Sequence, residues 1–135
     1  MSLPLRLGLI YLGIIGLLYL VLMFNVIRLR KKHQVGLGVG QNSELERAVR
    51  AHGNFSEYVP MMALMLICLE LSGFDHLALH IFWILLIVSR VFHFVGLSQA
   101  SGNSLGRTAG AGLTALCLLG ISISLIIHFI SLGHL

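Results

Sequence analysis

Charge is what this sequence lacks. Only 10% of its 135 residues are Asp, Glu, Lys or Arg, against 57% hydrophobic residues, whereas a soluble domain carries about 25% charged residues. So few charges cannot cover a water-facing surface, and a mean hydropathy of +0.94 makes lipid the main solvent. The length allows one domain. Cysteine is nearly absent. Cys68 and Cys117 both lie in apolar runs, which excludes a disulfide framework or a zinc pattern and leaves two buried thiols acting as small hydrophobes. No metal is implied. There is no repeat, no low-complexity tract, and no small-residue cleavage site after the first apolar run, which ends in "RLRKK". That run is therefore a retained span and not a signal peptide. The net charge of +4 comes from clustered basic residues, and no nucleic-acid partner is implied.

What is present instead is hydrocarbon. Apolar segments run over about 7–27, 58–71, 77–97 and 109–132. Crossing the hydrocarbon core takes about 20 residues, so the second segment has to begin earlier, inside the charged stretch "ELERAVRAHGNFSEYVP" (44–60). The expected fold is an all-α, integral membrane four-helix bundle in one domain, 1–135, with spans of about 5–30, 43–72, 76–98 and 106–132. Arg28, Arg30, Lys31, Lys32, Arg47 and Arg50 surround the first connection, and Arg90 and Arg107 lie toward the third; "SGFDH" between them has no Lys or Arg. By the positive-inside rule the first and third connections face the cytoplasm, and both termini face the other side. In "HQVGLGVGQNS" the glycines at 36, 38 and 40 are wrongly spaced for a dinucleotide fingerprint, so a flexible loop is expected. "QASGNSLG" reads as a second loop. Gly106 and Gly110 form a small-xxx-small pair that lets helices approach closely.

The charged stretch carries the chemistry. Ser43 is the expected helix cap with Glu46 three residues on, and Glu44 and Glu46 suit the positive end of the helix dipole. At about 100° per residue, Arg47, Arg50, Asn54 and Glu57 fall in one narrow stripe, with His52 on roughly the opposite side. Pro60 removes one backbone bond and is expected to kink the helix. Asn25 and Arg28 share a face of the first helix, Arg90 and His93 share a face of the third, and Arg107 and Thr108 open the fourth. All lie at one depth. Ionisable groups there cost several kcal/mol unless they pair or face a wet cavity, which points to a polar pocket between helices. The competing reading is that the arginines snorkel to headgroups and set topology, that Arg50 and Glu57 tie helices together, and that His93 and His80 simply pack. His33, His76, His128 and His134 are given no role. A surplus of guanidinium groups suits an anion gripped in bidentate fashion, while Glu57 and Asn54 accept from an ammonium or amide. The guest is then a water-soluble zwitterion with excess negative charge, and lipid supplies a second, apolar guest. A proton-coupled transporter would want an acid near mid-bilayer, but Glu57 and Glu70 lie toward opposite ends.

"ERAVRAHGNFSEYVP" resembles the signature of the MAPEG family, the membrane-associated proteins in eicosanoid and glutathione metabolism. Glu46, Arg47, Arg50, Ala51, Asn54, Glu57 and Pro60 match its pattern, and "VIRLRKK" and "SRVFHFVG" are also similar to family segments. The resemblance implies a homotrimer of four-helix subunits that binds glutathione as co-substrate between neighbours near the cytoplasmic face. It implies Arg28, Arg47, Arg50, Asn54, Glu57, Arg90 and His93 as glutathione ligands. Arg107, with Thr108 beside it, matches in place the catalytic pair near the sulfur. Gly53 and Leu97 stand where better-known members carry an arginine and a tyrosine. The implied activity is a glutathione transferase or peroxidase acting on a lipophilic small molecule, in a bacterial inner membrane. The alternative is a non-catalytic lipid- or thiol-binding membrane scaffold.

Overall fold

The computed structural model describes residues 5–99 and 105–133. Four helices follow one another: α1 (Arg6–His33), α2 (Ser43–Leu71), α3 (His76–Gln99) and α4 (Leu105–Ser131). Each is long and apolar enough to cross a membrane. The second starts at residue 43, so the charged stretch is its first half, and it continues through Pro60. Among the described residues α3 packs most closely with α4, α2 bridges α1 and α3, and α1 does not reach α4.

The core is a seam of large side chains. Trp83, Leu79 and Leu86 of α3 are fully buried against Met62, Leu66 and Leu69 of α2 and Ile121 of α4. Tyr11 of α1 stacks on Trp83 with ring centroids 5.5 Å apart, and its hydroxyl hydrogen-bonds His80 Nδ1 at 2.7 Å. The outer faces are equally apolar: Leu17 and Val21 on α1 and Leu116, Ile126 and Ile127 on α4 stand exposed. Patches of that extent are not tolerated in water, but in lipid they meet their like. The expected close approach of α4 to α3 is built from glycine. A Cβ on Gly110 would stand 2.7 Å from the backbone nitrogen of His93, and one on Gly106 would stand 3.1 Å from Gly96 Cα. Cys117 is buried in this seam, but Cys68 is exposed, which corrects the expectation of two buried thiols: α2 turns position 68 away from its neighbours.

The helix ends carry further corrections. Asn42, not Ser43, caps α2, its Oδ1 accepting from Leu45 N at 2.9 Å; Ser43 already has helical geometry. Asn42 stands one residue earlier, and its side chain reaches the free N–H groups of the first turn as well as a serine does. The 34–42 connection is a loop, as expected from its glycines, and Arg30 reaches across it. Arg30 Nη1 donates to the carbonyls of Val35, Gly36 and Gly38 at 3.4, 3.3 and 3.0 Å. Gly40 adopts φ 56°, and a Cβ there would strike Val35 at 2.8 Å. Across the same turn Glu44 accepts from Lys32 at 2.9 Å and lies 3.1 Å from His33 Nε2. At the opposite end of the bundle α1 has no side-chain cap of its own. Glu70, only 6% exposed, reaches over from α2 and accepts from Leu7 N and Gly8 N, both at 2.7 Å. The expected loop "QASGNSLG" lies largely outside the described residues.

Candidate functional site

Two hollows form where α2 meets its neighbours. The first, about 460 Å³, lies by the α1–α2 connection and is lined by Asn25 and Arg28 of α1, Glu44 and Arg47 of α2, and Phe94 of α3. Arg28 Nη2 donates to Asn25 Oδ1 at 2.9 Å, which holds its guanidinium at the rim. The carboxylate of Glu44 is already engaged by Lys32 and His33. Among the described residues no carboxylate pairs with Arg28 or Arg47, so the hollow is cationic on balance and suits a planar anion.

The second hollow, about 170 Å³, lies between α2, α3 and α4. Its polar walls are Asn54, Tyr58, Arg90, His93 and Thr114. Arg90 dominates it and is only 5% exposed. Its Nη1 donates to Asn54 Oδ1 at 2.7 Å, its Nη2 to Thr114 Oγ1, and its Nε to Ser89 Oγ at 3.3 Å. Its guanidinium carbon stands 5.7 Å from the centre of the Tyr58 ring. All these partners are neutral. A buried cation is ordinarily paired, yet among the described residues no carboxylate reaches this one. Thr114 in turn donates to Gly110 O at 2.7 Å, which ties the cluster to the close α3–α4 contact.

A third, very small void of about 10 Å³ touches Ala51, Asn54, Arg90, His93 and Phe94. It shares Ala51 and Phe94 with the first hollow, and Asn54, Arg90 and His93 with the second.

The residues expected to form one site are thus divided. Arg28 and Arg47 line the first hollow, and Asn54, Arg90 and His93 line the second. Arg50 and Glu57 belong to the same α2 stripe but stand exposed at its outer edge, and neither hollow includes them. Thr108 is exposed near the start of α4. The side chains of Arg107 and Leu97 lie outside the described residues. His52 packs on the other side of α2, stacked on Tyr19 with centroids 4.8 Å apart. Tyr58 and Thr114 were missed. Each had a spacing signal: Tyr58 is one turn beyond Asn54, and Thr114 is two turns beyond Arg107 on the same helix.

Four helices of membrane-crossing length, with Arg90, Asn54 and His93 brought together between them, define a small multi-pass membrane protein. The sequence profile of the MAPEG family matches residues 8–127, and the chain belongs to that family. It is similar to Inner membrane protein YecN of Escherichia coli, in strain K12 and in O6:H1 (strain CFT073), at 36% identity over 87 residues. That alignment covers 64% of this chain and 66% of the relative, just under two thirds of the relative's length. No solved structure gives a significant match.

Proposed function

We propose that the protein is an inner-membrane glutathione transferase or peroxidase, active as a homotrimer, with its site near the cytoplasmic face. The observation that carries this reading is Arg90, a buried guanidinium with neutral partners only, beside a second cationic hollow at Arg28 and Arg47. Glutathione is a zwitterion with two carboxylates, one ammonium and a thiol. Its carboxylates suit Arg28, Arg47, Arg50 and Arg90, and its ammonium and amides suit Glu57, Asn54 and His93. Arg50 and Glu57 are exposed on one protomer, which fits a site completed by a neighbour.

A free thiol is mostly protonated at neutral pH, and an adjacent cation favours the thiolate. Each unit of lowered pKa corresponds to about 1.4 kcal/mol. Arg107 is assigned to the sulfur, with Thr108 as hydrogen-bond donor. The thiolate forms a thioether with a lipophilic electrophile arriving from the bilayer as a leaving group departs or a ring opens; with a lipid hydroperoxide it cleaves the O–O bond, the lipid alcohol leaves, and a second glutathione converts the sulfenic acid to the disulfide and water. Holding both reactants together lowers the entropic part of the barrier. The test is calorimetric titration of purified protein with glutathione, run alongside conjugation of a generic electrophile. Wild type is expected to bind and turn over. Arg50→Ala is expected to bind more weakly, and Arg107→Ala to bind normally but lose turnover. Binding with no rate above the buffer control would favour the non-catalytic scaffold.

A further inference from the structure

His33 closes α1 beside the start of α2, and the hydrogen bonds around it fix where its protons sit. Leu45 N can only donate, and it meets Asn42 Oδ1 at 2.9 Å. The amide nitrogen of Asn42 therefore faces the other way, where it stands 3.0 Å from His33 Nδ1. An amide nitrogen also only donates, so Nδ1 has to accept and carries no proton. The imidazole is then neutral, with its hydrogen on Nε2, and donates to Glu44 Oε2 at 3.1 Å. Lys32 Nζ donates to the same oxygen at 2.9 Å. Glu44 of α2 and Lys32 of α1 are the charged groups at this ring; among the described residues no ionisable group of α3 or α4 bonds to it. The backbone of Asn42 is fixed too. Its N–H donates to Val39 O and its carbonyl accepts from Glu46 N, both at 2.9 Å, so only the side chain can turn.

A second proton on the ring has one place to go. It lands on Nδ1, opposite the Asn42 amide nitrogen, and sets two donors against each other. The imidazolium is drawn to the Glu44 carboxylate, which holds the ring in place, so it is the amide that turns over. Asn42 Oδ1 then accepts from Nδ1, and Leu45 N loses the oxygen that capped it. We propose that His33 is a positioning residue and a pH switch. Neutral, it orients Asn42 to cap α2; protonated, it takes the cap away. The turn it controls carries Glu44 and leads into Arg47, and both line the first hollow. Histidine is the side chain that ordinarily changes charge between pH 5 and 8, so the first turn of α2 frays as pH falls through that window. Anion binding in the hollow then weakens on acidification, opposite in sign to what one added positive charge alone would do. That consequence rests on the proposed activity, whereas the switch does not.

The test follows solvent exchange of the Leu45 amide by NMR, on full-length protein in micelles at pH 7.0 and 5.5, corrected for the intrinsic pH dependence of exchange. Wild type is expected to lose protection about fivefold at pH 5.5, the usual worth of a helix cap. His33→Gln keeps the neutral pattern without a ring that titrates: its side-chain oxygen accepts from Asn42 and its amide nitrogen donates to Glu44. Its protection is expected to be the same at both pH values. Asn42→Asp offers an oxygen to each side and is expected to keep Leu45 protected throughout. Constant protection in wild type overturns the proposal, and so does a loss that persists in His33→Gln. Calorimetry with glutathione over the same pH step reads the consequence. Affinity is expected to fall by a similar factor in wild type and to hold in His33→Gln, which leaves His93 of the second hollow free to titrate. Loss of Leu45 protection with no glutathione binding at either pH removes the proposed activity and leaves the switch. Glutathione binding with constant protection does the reverse.

Discussion

Glu70 and Arg90 are both almost fully buried, near opposite ends of the bundle, and only one of them is neutralised by its surroundings. Glu70 accepts two backbone N–H groups from the first turn of α1 at 2.7 Å. Those groups have no helical partners, and the helix dipole places positive charge there. The carboxylate and the helix end satisfy each other. Arg90 donates to an amide and two hydroxyls and borders two spaces. A buried charge whose partner is the fold itself is architecture. A buried charge with neutral partners and free volume beside it is where the proposed guest is placed.

This contrast can be broken in both directions. The largest effect is expected at Glu70. Glu70→Ala leaves two charge-assisted bonds unmade and is expected to lower unfolding free energy by about 2–4 kcal/mol, measured by denaturant titration in micelles, with glutathione affinity unchanged. Loss of glutathione binding in that variant would contradict its purely structural role. Arg90→Leu is expected to weaken glutathione binding about 30-fold, equivalent to about 2 kcal/mol, read by calorimetry. Unchanged affinity would remove Arg90 from the site. Gly110→Ala pushes a methyl into the His93 backbone and is expected to cost about 1–3 kcal/mol of stability, and to disturb the Arg90 cluster through Thr114. The smallest effect sharpens the comparison most. Asn54→Asp gives Arg90 the counter-ion that Glu70 already has in the N-terminus of α1. Glutathione affinity is expected to fall about tenfold, or about 1.4 kcal/mol, with resistance to unfolding retained, since a buried pair roughly breaks even.

Much of this was legible in the chain. Helix number follows from apolar length. The early start of α2 follows from the shortness of its apolar run, and the Gly106–Gly110 contact follows from small residues one turn apart. The stripe on α2 was legible as a direction but not as a destination. Arg47, Arg50, Asn54 and Glu57 lie within a narrow arc, yet Arg47 lines one hollow, Asn54 turns to Arg90 in another, and Arg50 and Glu57 stay outside. A helical wheel resolves faces, whereas these four residues sit on the boundary of the buried face, where a few tens of degrees decide burial. Glu70 was set aside because nothing local marks it: its partners are 62 and 63 residues away.

The sequence by itself determined the solvent, the number of helices and the level of the basic residues, because transfer energies and the 3.6-residue period act locally along the chain. The tertiary structure alone decided which charge is satisfied and which stays available. That choice depends on which side chain from a distant helix arrives within about 3 Å, and hydrogen bonds lose their value beyond that reach.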